Sequence, residues 1–304
     1  MAETEITYPQ KTRELHNALM DSDRWDSFRF RDDDIVIDTW AKSGTTWTQQ
    51  IMAQLVFNGI EGTAAMDLAP WLDMRIFPLE EILGMLEAQE HRRFVKSHLP
   101  ADALTISPKA KYLFLARDGR DVIWSLHNHL RHQTDEFYEI VNNTPGRVGP
   151  EFHRPPEDVR EFFHHFIDNG SPFTDWPYFD HIQSWWDIRH TPNIMLVHFN
   201  DLKADMEGMI RKMAAFVDIE IDEDKWPDIV EHCSFDYMKA NANTLSPGFA
   251  DLFEGGLTNF IHKGTNGRWR DILTPEEVEK YERAQAEKLT PNCARWHEVG
   301  GPYD

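Results

Sequence analysis

Apolar residues fall along this chain in short runs separated by longer amphipathic stretches. Four runs, Asp34–Thr39 (DIVIDT), Arg93–Lys96 (RFVK), Lys111–Ala116 (KYLFLA) and Asn193–Phe199 (NIMLVHF), are rich in β-branched and aromatic residues. Each is bounded by charged or turn residues, which predicts buried strands. Three are followed by stretches predicted to be helical: Thr46–Asn58, Arg120–Arg131 and Ala204–Val217. Such alternation predicts an α/β fold with a central parallel sheet flanked by helices. Ligands of such sheets bind beyond the C-terminal strand ends, so the segments just after each strand are the ones to inspect. No repeat or low-complexity linker divides the chain, and residues 1–304 are expected to form a single domain. Two regions break the pattern. Thr134–Trp186 is dense in Phe, Tyr, Trp, His and Pro, and Asn241–Phe260 is irregular and contains glycine. Both are expected to be long loops of the lid or binding kind.

Composition narrows the ligand. Hydrophobic residues make up 41% of the chain, enough for a sizeable core, and the formal net charge is −21. That field repels nucleic acid and anionic membranes, so neither is expected as a partner. An anionic ligand would need cations gathered at one spot. The two cysteines, Cys233 and Cys293, form no metal-binding spacing and no disulfide framework. Met1–Gln10 has no apolar run of the secretory kind, and stretches such as Ile51–Phe57 are too short to span a bilayer. A cytoplasmic protein without a transmembrane segment is expected.

The first strand end carries the first candidate chemistry. Asp34–Thr39 runs into Trp40-Ala41-Lys42-Ser43-Gly44-Thr45-Thr46-Trp47 and then a predicted helix. A strand, a small-residue turn and a helix together aim backbone N–H groups at an anion. Lys42 adds charge, Ser43, Thr45 and Thr46 add hydroxyls, and Gly44 permits close approach. The order differs from a Walker A loop, in which Gly-Lys follows an upstream glycine. A capped βα turn, with Thr45 or Thr46 as N-cap, also accounts for the threonines but leaves the lysine unexplained. Trp47 is either a core residue or a platform for a stacked base.

Lys42–Trp47 resembles the phosphosulfate loop of the cytosolic sulfotransferases that use 3′-phosphoadenosine 5′-phosphosulfate (PAPS), usually written P-K-S-G-T-T-W, with Ala41 in place of proline. Four further segments match in the family's order. Phe94–Pro100 is similar to its K-T-H-L-P segment, Arg117–Ser125 to R-x-x-x-D-x-x-x-S, His198–Lys203 to Y-E-D-L-K, and Phe260–Arg270 to R-K-G-x-x-G-D-W-K. Phe199 replaces a tyrosine, His262 an arginine and Arg268 an aspartate. Cys233–Lys239 resembles the adenine-side segment, and the likeness runs from about residue 25 to about residue 285. Arg24-Trp25-Asp26, Pro70–Asp73 and His91–Phe94 are also similar in style to mycobacterial members that sulfate glycolipids.

The resemblance implies a sulfotransferase with a P-loop-like phosphosulfate loop, PAPS as donor, adenosine 3′,5′-bisphosphate (PAP) as product, and no metal. It implies His98 as catalytic base, with Lys42 and Lys96 stabilising charge on the transferring group. It assigns the 5′-phosphosulfate to Lys42, Ser43, Gly44, Thr45 and Thr46, and the adenine to Trp47, Phe199, Cys233, Phe235 and Met238. The 3′-phosphate falls to Arg117, Ser125 and the loop of Phe260, Ile261, His262, Lys263 and Gly264, with Arg268 or Arg270 available to replace the missing arginine. An arginine in this role is chemically apt, being a bidentate phosphate reader; an ion pair of Arg117 with Asp118 or Asp121 is the other reading. His127, His129 and His132 point to different helix faces and are expected on a solvated surface. Phe152, Phe162, Phe163, Phe166, Phe173, Trp176, Tyr178 and Phe179, with Trp71, Met74, Ile76 and Phe77, either line an apolar acceptor pocket or pack the core. The expected acceptor is a hydroxyl on a phenol, sterol, alcohol or glycolipid. Two other readings stand beside this one: a metal-dependent nucleotide phosphotransferase with Asp201 as Mg²⁺ ligand, and a non-catalytic nucleotide-binding module. Arg270–Glu279 matches the family's dimer motif loosely, so a homodimer is open, and Thr274-Pro275 reads as a helix start.

Overall fold

A computed structural model of the protein describes residues 7–171, 176–261 and 263–303. Strands β1 (Asp34–Thr39), β2 (Phe94–Ser97), β3 (Ala110–Ala116) and β4 (Ile194–His198) form one parallel sheet in the order β2-β1-β3-β4. These are the four expected runs, shifted by a residue at most ends. Ile37 lies opposite Lys96, Asp38 opposite Phe114 and Ala116 opposite His198. The four C-terminal ends therefore open along one edge.

Alternation along each strand divides the core in two. Val36, Val95, Tyr112, Phe114 and Leu196 pack on one face with Trp25 and Trp185. Ile35, Ile37, Leu113, Leu115 and Val197 pack on the other with Ile51 and Met213. Both faces are dry, which is why these strands read as continuous apolar runs. At the opposite end, Arg93 and Asp34, each 1% exposed, pair through Nε–Oδ1 at 2.8 Å and Nη2–Oδ2 at 2.5 Å. This two-point contact ties the start of β1 to β2.

Helices follow the strand ends. Thr45–Val56 follows β1 and Gly119–Arg131 follows β3. After β4 the expected helix Ala204–Val217 is found at Met206–Phe216, and a further short helix, Phe199–Ala204, precedes it. The break is at Asp205, whose side chain turns back to accept the Gly208 N–H at 2.9 Å. Thr274 opens the helix Pro275–Lys288 with a capping box to Glu277, as its sequence predicts.

The aromatic region is not a loop. Asp135–Asn143, Val159–Asn169 and Tyr178–Asp187 are helices, with Thr134 and Asp158 as side-chain caps and Gly170 closing the second at φ 74°. Phe162, Phe163 and Phe166 form one buried face of the second helix, a helical spacing that the density of aromatics and prolines conceals. Within Asn241–Phe260, short helical turns at Ala242–Thr244, Pro247–Ala250 and Leu257–Phe260 replace the expected irregular loop. Phe173 lies outside the described residues. Among the described residues, no helix is long and apolar enough to cross a membrane.

Candidate active site

The strand ends meet at a cavity of about 390 Å³. Its floor is the loop after β1. Lys42 sits at φ 68° and Gly44 at φ 119°. Glycine suits the positive φ at position 44, and a Cβ there would press on its neighbours, 3.2 Å from the Phe199 ring and 3.3 Å from Leu115. Gly44, rather than Thr45 or Thr46, is the N-cap of the following helix and has no side-chain cap bond. Thr45, Thr46 and Trp47, in the first turn of that helix, line the cavity, and first-turn N–H groups have no partner within a helix. Thr45 Oγ1 meets Thr39 Oγ1 at 2.6 Å. Ser43 faces inward instead. It is fully buried, and its hydroxyl has no partner among the described residues.

His98 follows β2 and is 4% exposed. Its Nδ1 lies 2.6 Å from the Thr39 carbonyl oxygen. A carbonyl only accepts, so Nδ1 carries the hydrogen and Nε2 keeps the lone pair. Burial, followed by the nearby Lys96, holds the imidazole well below its usual pKa. His98 is thus a neutral base. Its backbone N–H donates to Asp73 Oδ2 at 3.2 Å, and the same carboxylate accepts the indole N–H groups of Trp71 at 2.6 Å and Trp25 at 3.1 Å. Trp71 stands edge-on to His98, with ring centroids 4.7 Å apart, and carries Lys96 Nζ 4.2 Å above its own ring. Asp73 thereby fixes a base, an indole wall and a cation together.

Six cations, Lys42, Lys96, Arg117, Lys203, Lys263 and Arg268, line the cavity, and no carboxylate does among the described residues. Burial, then repulsion from Lys96 and Arg117, brings the Lys42 ammonium down to about 7. Burial brings Lys96 down to about 8, with Asp73 opposing the shift. An arriving anion reverses both shifts, because it favours the charged forms. Arg117 is buried, and its guanidinium donates to Asn266 Oδ1 at 2.7 and 2.9 Å and to the Thr265 carbonyl at 3.0 Å. It lies 4.5 Å from the Phe199 ring centroid. The expected alternative, an ion pair with Asp118, is taken by Arg120 at 2.8 Å. Lys203 Nζ donates to the Gly264 carbonyl at 2.6 Å, tying the same loop down.

Trp47, Ser125, Phe199, Phe235, Met238, Phe260, Ile261, Lys263 and Gly264 also line the cavity. Trp47 is steered by its N–H, which donates to the Cys233 carbonyl at 2.8 Å. The Cys233 thiol itself is buried in the core, and burial pushes its pKa up. His262 lies outside the described residues.

Among the aromatic candidates, Trp71, Met74 and Trp176 reach the cavity, whereas Phe152, Phe162, Phe163, Phe166, Tyr178 and Phe179 belong to the core. Leu19, Met66, Phe137 and Phe249 complete the apolar wall. They are scattered along the chain, and no local signal marks them. The three histidines of the helix after β3 do separate. His127 contacts the Pro156 carbonyl at 2.8 Å and His132 the Asn128 carbonyl at 2.7 Å. His129, expected on a solvated surface, instead lines the cavity, with Nδ1 3.3 Å from Lys42 Nζ.

A βα phosphate loop, clustered cations and a neutral histidine base define an α/β group-transfer enzyme that handles an anionic donor. Residues 32–292 match the sulfotransferase domain family. The chain belongs to that family and is a PAPS-dependent sulfotransferase. It is 29% identical over 322 residues to a glycolipid sulfotransferase of Mycobacterium tuberculosis, with 98% of each chain covered. It is 28% identical to sulfotransferase 1E1 of Homo sapiens, with 96% of this chain and 98% of that one covered. Its fold is that of mouse sulfotransferase SULT7A1, solved with PAP (TM-score 0.68, 22% identity, 89% and 90% covered). A retinol dehydratase solved with retinol and PAP shares it too (TM-score 0.67, 24% identity, 88% and 84% covered).

Proposed function

We propose that this enzyme transfers the sulfuryl group of PAPS to a hydroxyl of a partly apolar acceptor, with His98 as general base. The observation that carries the reading is one cavity lined by six cations and no carboxylate among the described residues, in a chain of net charge −21, with His98 in its wall. His98 Nε2 takes the acceptor's hydroxyl proton as the oxygen bonds to sulfur. The bond from sulfur to the bridging phosphate oxygen breaks in line, and PAP leaves with the electron pair. Lys42, Lys96 and the first-turn N–H groups of the Thr45 helix stabilise the charge that accumulates on the sulfuryl and leaving oxygens. Arg117, Ser125, Lys263 and Gly264 hold the 3′-phosphate, with Arg268 adding charge to the same cavity. Trp47 and Phe199, whose rings meet edge-on at 5.6 Å, flank the adenine together with Phe235 and Met238. Cys233 contributes through its carbonyl, which orients Trp47.

The acceptor lies against Trp71, Met74, Trp176, Phe137 and Phe249, a wall suited to an aromatic or lipid-like body. The likeness to a glycolipid sulfotransferase supports the lipid-like class. Asp201 is a poor Mg²⁺ ligand here, because its carboxylate accepts the Gly301 N–H at 2.9 and 3.1 Å. The enzyme works in the cytoplasm, a placement supported by two buried cysteines that are not paired. A second copy would dock on the Arg270–Glu279 segment, where Ile272 is 40% exposed.

The test is transfer of ³⁵S from labelled PAPS to a panel of phenols, sterols, alkyl alcohols and glycolipids by the wild type and by His98→Ala, without added metal. Transfer by the wild type that falls in the variant supports the reading. A wild type that binds no PAP removes it.

A further inference from the structure

The Lys42–His129 contact has a second half. His129 lies in the last turns of the helix Gly119–Arg131, between the rings of Phe253 (centroids 5.0 Å apart) and Phe260 (5.3 Å). Lys42 Nζ sits 3.9 Å over the same Phe260 ring. The far nitrogen of His129, Nε2, is 3.4 Å from the Gln133 side-chain nitrogen. Gln133 is 2% exposed, and its Oε1 is buried with no partner among the described residues. Turning the amide by 180° exchanges its oxygen and nitrogen without moving the chain, a choice that the hydrogen-bond network has to make. The turn gives Oε1 the His129 Nε2–H and frees Nδ1 to accept from Lys42.

We propose that His129 is a positioning residue for Lys42, accepting the ammonium hydrogen bond at Nδ1 while Gln133 Oε1 anchors Nε2–H. This rests on reading the cavity as the sulfotransferase site. The contact holds Lys42 protonated and aimed at the donor phosphate in a place where it otherwise meets only like charge. Lys96 from β2 and Arg117 from β3 repel it directly, and Lys203, Lys263 and Arg268 line the same cavity. His129 in turn faces Lys42, Lys96, His98 and His132, and burial, then Lys42, holds it neutral, which leaves the Nδ1 lone pair available.

The experiment is PAP binding to the full chain between pH 6 and pH 9, measured by calorimetry for the wild type, His129→Asn, His129→Phe and Gln133→Leu. In the wild type, affinity falls as pH rises through the Lys42 transition at about 7. His129→Phe keeps the ring packing and removes the acceptor. It is expected to move that fall to lower pH and to weaken binding at pH 8 by about tenfold. His129→Asn keeps an acceptor near the Nδ1 position and is expected to stay within about twofold of the wild type. Gln133→Leu, which removes the outer anchor only, should move the fall in the same direction as His129→Phe, and it decides the matter if the phenylalanine variant does not fold. A folded His129→Phe or Gln133→Leu protein with the wild-type pH profile overturns the inference. A wild type that does not bind PAP removes the underlying reading instead.

Discussion

The cavity has two unlike walls. The side proposed to hold the donor is built mainly from three segments that directly follow strands and lead into the next element, at Trp40–Trp47, His98 and Arg117–Ser125, and is completed by the Lys263-Gly264 loop. The acceptor side is built from Leu19, Met66, Trp71, Met74, Phe137, Trp176 and Phe249, which come from separate stretches of the chain. On the donor side, chemistry and backbone coincide: Lys42 and Gly44 both sit at positive φ, and neighbouring residues share one task. On the acceptor side, each residue owes its place to packing elsewhere. One wall therefore demands particular residue types, and the other demands only apolar volume.

That contrast makes the donor wall brittle and the acceptor wall adjustable. The largest expected effect is from His98→Ala, which should lower kcat by about 10²–10⁴-fold with PAP affinity nearly unchanged. An unchanged kcat would remove His98 as the base. Next, Gly44→Ala places a Cβ against Phe199 and Leu115 at a positive φ. Strain of about 1–3 kcal/mol should appear as weaker PAP binding in calorimetry. Phe249→Ala should raise KM for bulky acceptors by about tenfold and leave PAP affinity alone. If PAP affinity falls equally, the two walls are not separable. The smallest effect is one of pH. Because His98 is held well below 6.5, it is already an unprotonated base at pH 6. Raising the pH from 6 to 7 should therefore gain almost nothing in kcat under saturating PAPS. A steep rise over that interval would place the base's pKa inside it.

Away from the cavity, the Arg93–Asp34 pair offers a control. Asp34→Ala leaves the buried Arg93 guanidinium with only the longer Glu87 contact at 3.4 Å as its ion pair and should cost up to about 3–5 kcal/mol in urea unfolding, without altering the ratio of donor to acceptor affinity.

The same contrast explains what could be read in advance. The strands were legible because both faces of the sheet are dry, so each carries consecutive apolar residues rather than an alternating pattern. The donor loop was legible because an anion needs N–H groups and a lysine at one turn, and Lys42-Ser43-Gly44-Thr45-Thr46-Trp47 keeps them contiguous. The helices of Thr134–Trp186 were hidden because Phe162, Phe163 and Phe166 stand among other aromatics that obscure their spacing. His129 was hidden for another reason. Its helix has a partly open face, and only tertiary contact with Lys42 and Phe260 shows that position 129 turns inward. Ser43 and Cys233 show the reverse case, residues inside matching motifs whose side chains point into the protein.

The uncompensated cations at the strand ends carry a consequence for the protein's lifetime. Bringing like charges together is work done during folding, and a bound dianion returns it. Folded molecules are thus favoured with the logarithm of free ligand concentration above Kd, by about 2.7 kcal/mol at one hundred times Kd. When the nucleotide is scarce, a larger fraction of chains opens and meets proteases. The abundance of this enzyme would then rise and fall with the supply of its own donor.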